Sequence, residues 1–177
     1  METLNALASR RSVRTYTGQS LSASDLEKIL KAANAAPVGM GLYDQMHLTV
    51  VNSHDFIVSA DTATAVMMRT EGAHPTYSVP TIIFVSAKKQ NPMLSGMMVS
   101  SAAMVAHNMV LAATDLGLGA CYLWGVLAAV SNTPALLAKL NLPEGYGLLA
   151  AVGVGPTAET YEAREIPADR ISVNVIE

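Results

Sequence analysis

Between residues 90 and 138 the chain carries one charged side chain, Asp115. A segment so apolar must either cross a bilayer or be walled in by protein. Its first half, MLSGMMVSSAAMVAHNMVLAAT, is long enough to span hydrocarbon and follows Lys88-Lys89. It also holds Ser95, Ser100, Ser101, His107 and Asn108, each costly in lipid without a partner. Leu, Ile and Phe, which drive insertion, are few. Ala, Met and Ser dominate instead, as suits a helix packed closely on all sides by protein. The expectation is a central helix in a tightly joined dimer, with no membrane span.

Composition points the same way. Hydrophobic residues make up 51% of the 177 and charged residues 14%, where about 25% charged is ordinary. An isolated subunit of this size lacks the charge to cover its surface, so apolar area must be buried in an oligomer. The length suits one domain, residues 1–177. A net charge of −3 argues against general nucleic-acid binding. The lone cysteine, Cys121, excludes an intramolecular disulfide and fits a reducing cytosol. No apolar segment with a small-residue cleavage site opens the chain, and a cytoplasmic protein is expected.

Periodicity predicts a short helix ending near Arg10 and a second over SLSASDLEKILKAANAAP, with Ser24 and Glu27 as a capping box and Pro37 closing it. HLTVVN (47–52) reads as a strand and 54–68 as a helix. TIIFVSA (81–87) is almost continuously apolar, hence a strand covered on both faces. A long helix over 93–116 stops at Gly117-Leu118-Gly119. A short strand (120–124), a helix capped by Thr133 (133–140), a strand (146–155) and an extended charged tail follow. Helices interleaved with strands, without a strict βαβ repeat, indicate an α+β sheet with helices on its faces.

Most catalytic templates are missing. His47, His54, His74 and His107 form no HxxxH or HExxH pattern, so no metal site is expected. No GxSxG elbow is present, and the GxG pairs at 39–41, 117–119 and 153–155 lack the third glycine of a dinucleotide fingerprint. What stands out is S-R-R-S-V-R-T-Y-T (9–17), which holds three of the eleven Lys+Arg, with Arg164 in the tail. Read alone, the window is either a phosphate grip or a solvated basic turn. Without a nucleophile or metal, a cofactor must carry any chemistry.

The blocks R-R-S-V-R-T-Y, A-A-N-A-A-P followed by HLTVV, S-V-P-T-I-I-F-V, N-M-V-L-A-A-T-D-L-G-L-G-A-C-Y-L-W-G and G-L-L-A-A-V-G-V-G, then the Arg-bearing tail, resemble the nitroreductase family in the family's order. The resemblance implies a three-layer α+β fold, with a central mixed or antiparallel sheet flanked by helices. It further implies an intertwined homodimer with FMN at the interface and NADH or NADPH as electron donor. By motif position, Arg10, Arg11, Ser12 and Arg14 would hold the FMN phosphate and ribityl chain, Arg14 also reaching the flavin N1/O2 edge. Arg164 would return to the phosphate. Guanidinium forks and a hydroxyl suit a phosphate dianion. Pro37, Val38, Gly39 and Met40 would cover the ring from the partner subunit, and Leu123, Trp124 and Gly125 would approach N5. No side chain is expected to be catalytic: hydride would pass to flavin N5 and on to a nitroaromatic or quinone.

Some residues depart from the family pattern. Gly-Met-Gly-Leu-Tyr-Asp-Gln-Met-His (39–47) replaces an Asn and a Gln-Pro-Trp block, and Ser101 stands where the family often has Asp. Met40, Tyr43 and Trp124 are the pocket-wall candidates, although Trp124 reads equally well as a core residue. A specialised flavoenzyme of the same fold (dehalogenation, flavin breakdown or biosynthetic dehydrogenation) stays open. So does a non-enzymatic flavin or phosphate-ligand binding protein.

Overall fold

The computed structural model describes residues 2–89 and 92–177. Its elements are α1 (Thr3–Ser9), α2 (Ala23–Asn34), β1 (Met46–Val51), α3 (His54–Met68), β2 (Thr81–Lys88), α4 (Pro92–Asp115), β3 (Leu118–Tyr122), α5 (Trp124–Ser131), α6 (Pro134–Lys139) and β4 (Tyr146–Pro156). The four strands form one sheet in the order β1-β2-β4-β3, and every pairing is antiparallel. Of the two sheet types left open by the sequence, the antiparallel one is realised.

Side-chain alternation along β2 divides the core. Ile83 and Val85 face a cluster built from α2 and α4, including Ile29, Ala102, Ala106, Met109 and Ala113. Ile82 and Phe84 face the opposite cluster from α3, α5 and α6, where Phe56 meets Phe84 edge-on with ring centroids 6.2 Å apart. Seven successive residues of β2 are buried, as an apolar strand covered on both faces requires. The result is three layers, helix–sheet–helix.

Helix α4 is the seam of one layer. It is long and apolar enough to cross a membrane by length and composition, yet its Ala-rich face lies against β2, β3, β4 and α2. Ala102, Ala106 and Ala113 are 0–1% exposed. Side chains this small let helix and sheet backbones approach closely, which buries apolar area without large residues.

Several local expectations are corrected. The cap of α2 is Ser22, whose Oγ accepts the Asp25 amide at 3.1 Å, rather than Ser24 with Glu27. Thr133 precedes α6 but does not cap it; its hydroxyl donates to the Ala129 carbonyl at 2.8 Å. Helix α5 was not expected, because its uniformly apolar WGVLAAVS has no amphipathic period to reveal it. Strand β3 begins at Leu118, so the turn takes only Gly117 of the glycine pair.

Gly155 shows how tightly the layers meet. A β-carbon there would lie 2.3 Å from Pro80 Cγ, and a proline ring cannot rotate away. Gly155→Ala should cost about 1–3 kcal/mol through overpacking, read as a lower urea midpoint with an unchanged slope.

Candidate functional site

The arginine segment hangs on the open edge of β3. The Val13 amide donates to the Ala120 carbonyl at 2.9 Å, and the Thr17 amide to Pro156 at 3.0 Å. Gly119 makes this possible: a β-carbon there would meet Val13 Cγ1 at 2.8 Å. Val13 itself is fully buried, so residues on either side of it are held at the sheet edge.

The tail completes the arrangement. Arg164 donates its amide (3.2 Å) and Nε (3.0 Å) to the Ala8 carbonyl, and Nη2 to the Arg10 carbonyl at 2.6 Å. Arg11 bonds the Thr160 carbonyl and lies 5.6 Å from the Tyr161 ring centroid. Arg14 lies 5.6 Å from the Tyr77 ring centroid. Ser12 hydrogen-bonds the Cys121 thiol, whose titration is nonetheless pushed up by burial. Among the described residues, none of these four arginines forms an ion pair. Their charge is held by carbonyls and rings and remains available to an anion.

Beside them opens a cavity of about 680 Å³ with mostly apolar walls, which include Pro37, His107, Tyr122, Trp124 and Leu127. His107 Nδ1 lies 2.7 Å from the Tyr122 hydroxyl. Burial first, then the positive charge of Arg10, holds the His107 imidazole below its ordinary pKa. Burial raises Tyr122, with Arg10 opposing. Arg10 and the cavity wall are therefore electrostatic neighbours.

Trp124 opens α5 and is 75% exposed, so it is no core residue. Leu123 before it is buried, and Gly125 follows in the first helical turn. No side chain caps α5, leaving first-turn amides free. In the 37–40 loop, the Gly39 amide donates to Ser101 Oγ at 3.1 Å, and Ser101 donates to Met97 at 2.8 Å. Ser101 thus anchors the loop by a hydroxyl. Val38 is buried, while Met40 is 75% exposed with a left-handed backbone at φ 55°. The three pocket-wall candidates do not converge within one subunit. Trp124 lines the large cavity, Tyr43 a separate one of about 260 Å³ beside Val38 and Met46, and Met40 neither.

The profile of the Nitroreductase family matches residues 7–156. The chain belongs to the Nitroreductase family. One relative, from Archaeoglobus fulgidus, bears the provisional name NADH dehydrogenase/NAD(P)H nitroreductase; it is 30% identical over 154 residues, covering 87% of this chain and 84% of that protein. An "FMN reductase (NADPH)" of Bacillus subtilis is 27% identical over 70% of this chain and 54% of its own length. Among solved structures, a Bacteroides fragilis nitroreductase with bound FMN superposes with a TM-score of 0.80 at 26% identity, over 99% of this chain and 100% of that one. A Desulfitobacterium hafniense nitroreductase has the same fold, with a TM-score of 0.81 at 22% identity over 99% and 100% of the two chains.

In this nitroreductase-family chain, three site features escaped the sequence. His107 and Tyr122 are fifteen residues apart and meet only because Gly117 turns α4 into β3. Tyr77 reaches Arg14 from a loop whose shape no local motif announces. Arg10→Ala should move the His107 titration upward, toward about 6.5, measured by NMR of the imidazole. Because the fold lowers the His107 pKa, its contribution to stability is present above about pH 6.5 and lost as pH falls through the folded value. Arg10→Ala should weaken that acid loss.

Proposed function

We propose that the chain is a cytoplasmic, homodimeric FMN-dependent oxidoreductase that uses NADH or NADPH to reduce an electron-poor acceptor. The observation carrying this reading is that, among the described residues, Arg10, Arg11, Arg14 and Arg164 form no ion pair, while Arg10 acts on the His107 and Tyr122 side chains that line an apolar cavity. A planar aromatic cofactor with an anionic tail has that pair of chemistries. When bound, FMN would supply two-electron hydride chemistry between a nicotinamide donor and a nitroaromatic or quinone acceptor.

The chain's own work is then placement and electrostatics. Arg10 and Arg11 would hold the phosphate with Ser12, as forked donors do well, and Arg164, with Nε and Nη2 on the Ala8 and Arg10 carbonyls, would add its charge and its remaining N–H groups. Arg14 puts positive charge at the pyrimidine edge. The uncapped first-turn amides of α5 near Gly125 are donors for the N5 side. Pro37 and Trp124 supply apolar walls that exclude water from the reacting face.

Dimerisation belongs to the same proposal. Ile166, Ile171, Val173, Val175 and Ile176 in the tail are 46–89% exposed, as are Leu4 (80%) and Trp124 (75%). A second copy of the chain is the partner that would cover them. The alternation in Ile171-Ser172-Val173-Asn174-Val175 suits an added strand. The buried lone Cys121 supports a reducing compartment.

Purified protein should be yellow, and anaerobic NADH or NADPH should bleach it. Protein that stays colourless after incubation with FMN would sink the proposal. Arg10→Ala and Arg164→Ala should each weaken FMN retention by about 1–3 kcal/mol, followed by flavin fluorescence. Light scattering should give twice the subunit mass, and removal of residues 166–177 should reduce it to one.

A further inference from the structure

The connection from α3 to β2 adopts a backbone its residues do not favour. Tyr77 and Ser78 are both left-handed, with φ of 56° and 55°. A β-carbon makes that region sterically costly, and two such residues in succession persist only where their surroundings over-determine them.

The clamps lie on both sides. Thr76, 2% exposed, gives Asp61 Oδ1 both its amide (2.8 Å) and its hydroxyl (2.6 Å). His74 Nδ1 lies 3.0 Å from Asp61 Oδ2. Burial alone would raise the Asp61 pKa, but the Thr76 and His74 bonds prevail and hold it below the usual carboxylate value. Asp61 is therefore an ionised acceptor across the neutral range. On the other side, Val79 is 2% exposed and its amide donates to the Thr76 carbonyl at 3.1 Å. Residues 76 and 79 are fixed, and the two between them have only a tight turn available.

That turn presents Tyr77. Its ring rests on the core cluster of α3 and α5, with the Arg14 guanidinium 5.6 Å from its centroid. The hydrogen bond that the Arg14 guanidinium donates to the Tyr77 hydroxyl is the first reason that Arg14 holds its proton more firmly than usual. A carboxylate in this place would fix the guanidinium and cancel its charge. A ring and a hydroxyl oxygen fix it and leave the charge intact. Strain stored behind an arginine that is held but not neutralised is the mark of a preorganised electrostatic element.

We propose that Tyr77 is a positioning residue that fixes Arg14 at the pyrimidine edge of the flavin and so sets its reduction potential. The inference rests on the FMN reading above. Charge held near N1 and O2 favours the reduced anion, so loss of the support should make the flavin harder to reduce. The Asp61–Thr76 clamp acts one step further back, through the turn.

The test is an anaerobic redox titration of FMN-loaded protein against an indicator dye. Arg14→Ala and Tyr77→Ala should each shift the oxidised-to-reduced equilibrium roughly tenfold, about 30 mV more negative for a two-electron couple. The double variant should shift no further than Arg14→Ala alone. Tyr77→Phe, which keeps the ring, should shift less than Tyr77→Ala. Tyr77→Leu keeps the apolar bulk without the ring face and should match Tyr77→Ala, so it decides the matter if the alanine variant folds poorly. A purely structural Tyr77 would lower the melting temperature and leave the potential at the wild-type value. That result, or additive shifts in the double variant, overturns the proposal while the FMN reading stands. Wild-type protein that takes up no flavin overturns both.

Discussion

The backbone hydrogen bond between Val13 and Ala120 organises the charged end of the molecule. It exists because Gly119 has no side chain, which lets Val13 sink against β3. Once Val13 is buried, alternation along an extended segment fixes its neighbours. Ser12 reaches Cys121, Arg14 reaches Tyr77, and Arg10 stands near His107 and Tyr122. A flexible basic N-terminal segment would spread the same charges through solvent, where each would be screened. Pinned to the sheet edge, they form a standing field beside an apolar cavity.

That cavity depends on the second constraint, the thinness of the α4 layer. Alanines at 102, 106 and 113 bring the helix down onto the sheet, and the turn at Gly117 returns the chain along β3 within reach of His107. The antiparallel sheet then places β4 between β2 and β3, so Ala150 and Ala151 floor the cavity while Ile82 and Phe84 stay sealed from it. Fold and site thus share one cause: small residues wherever backbones must pass closely.

How much of this was legible follows from the range of each signal. Strands β1, β2 and β4 and helices α2, α3 and α4 announce themselves through periodicity and punctuation over a dozen residues or fewer. Helix α5 did not, since WGVLAAVS is apolar all round and carries no period. The arginines were visible as a cluster in sequence, and Arg164 through family resemblance. Their supports were not, because Tyr77, Tyr161 and the carbonyls of Ala8 and Arg10 become partners only after the chain has folded back. Met40 and Tyr43 lie close to Pro37 in sequence yet do not join it at the large cavity. A left-handed residue at Met40 turns the chain so that Tyr43 reaches back to the Ala36 carbonyl (3.2 Å) instead of toward Trp124.

The bonds from Arg164 to Ala8 and Arg10 span more than 150 residues. During synthesis the sheet can assemble as soon as β4 leaves the ribosome, but the basic cluster stays unfinished until residue 164 has followed it out. Completion of the basic cluster thereby waits on the tail rather than on the sheet. Proteolytic trimming of the exposed tail would leave a well-folded subunit that binds its ligand poorly, a form of damage that assays of secondary structure would miss.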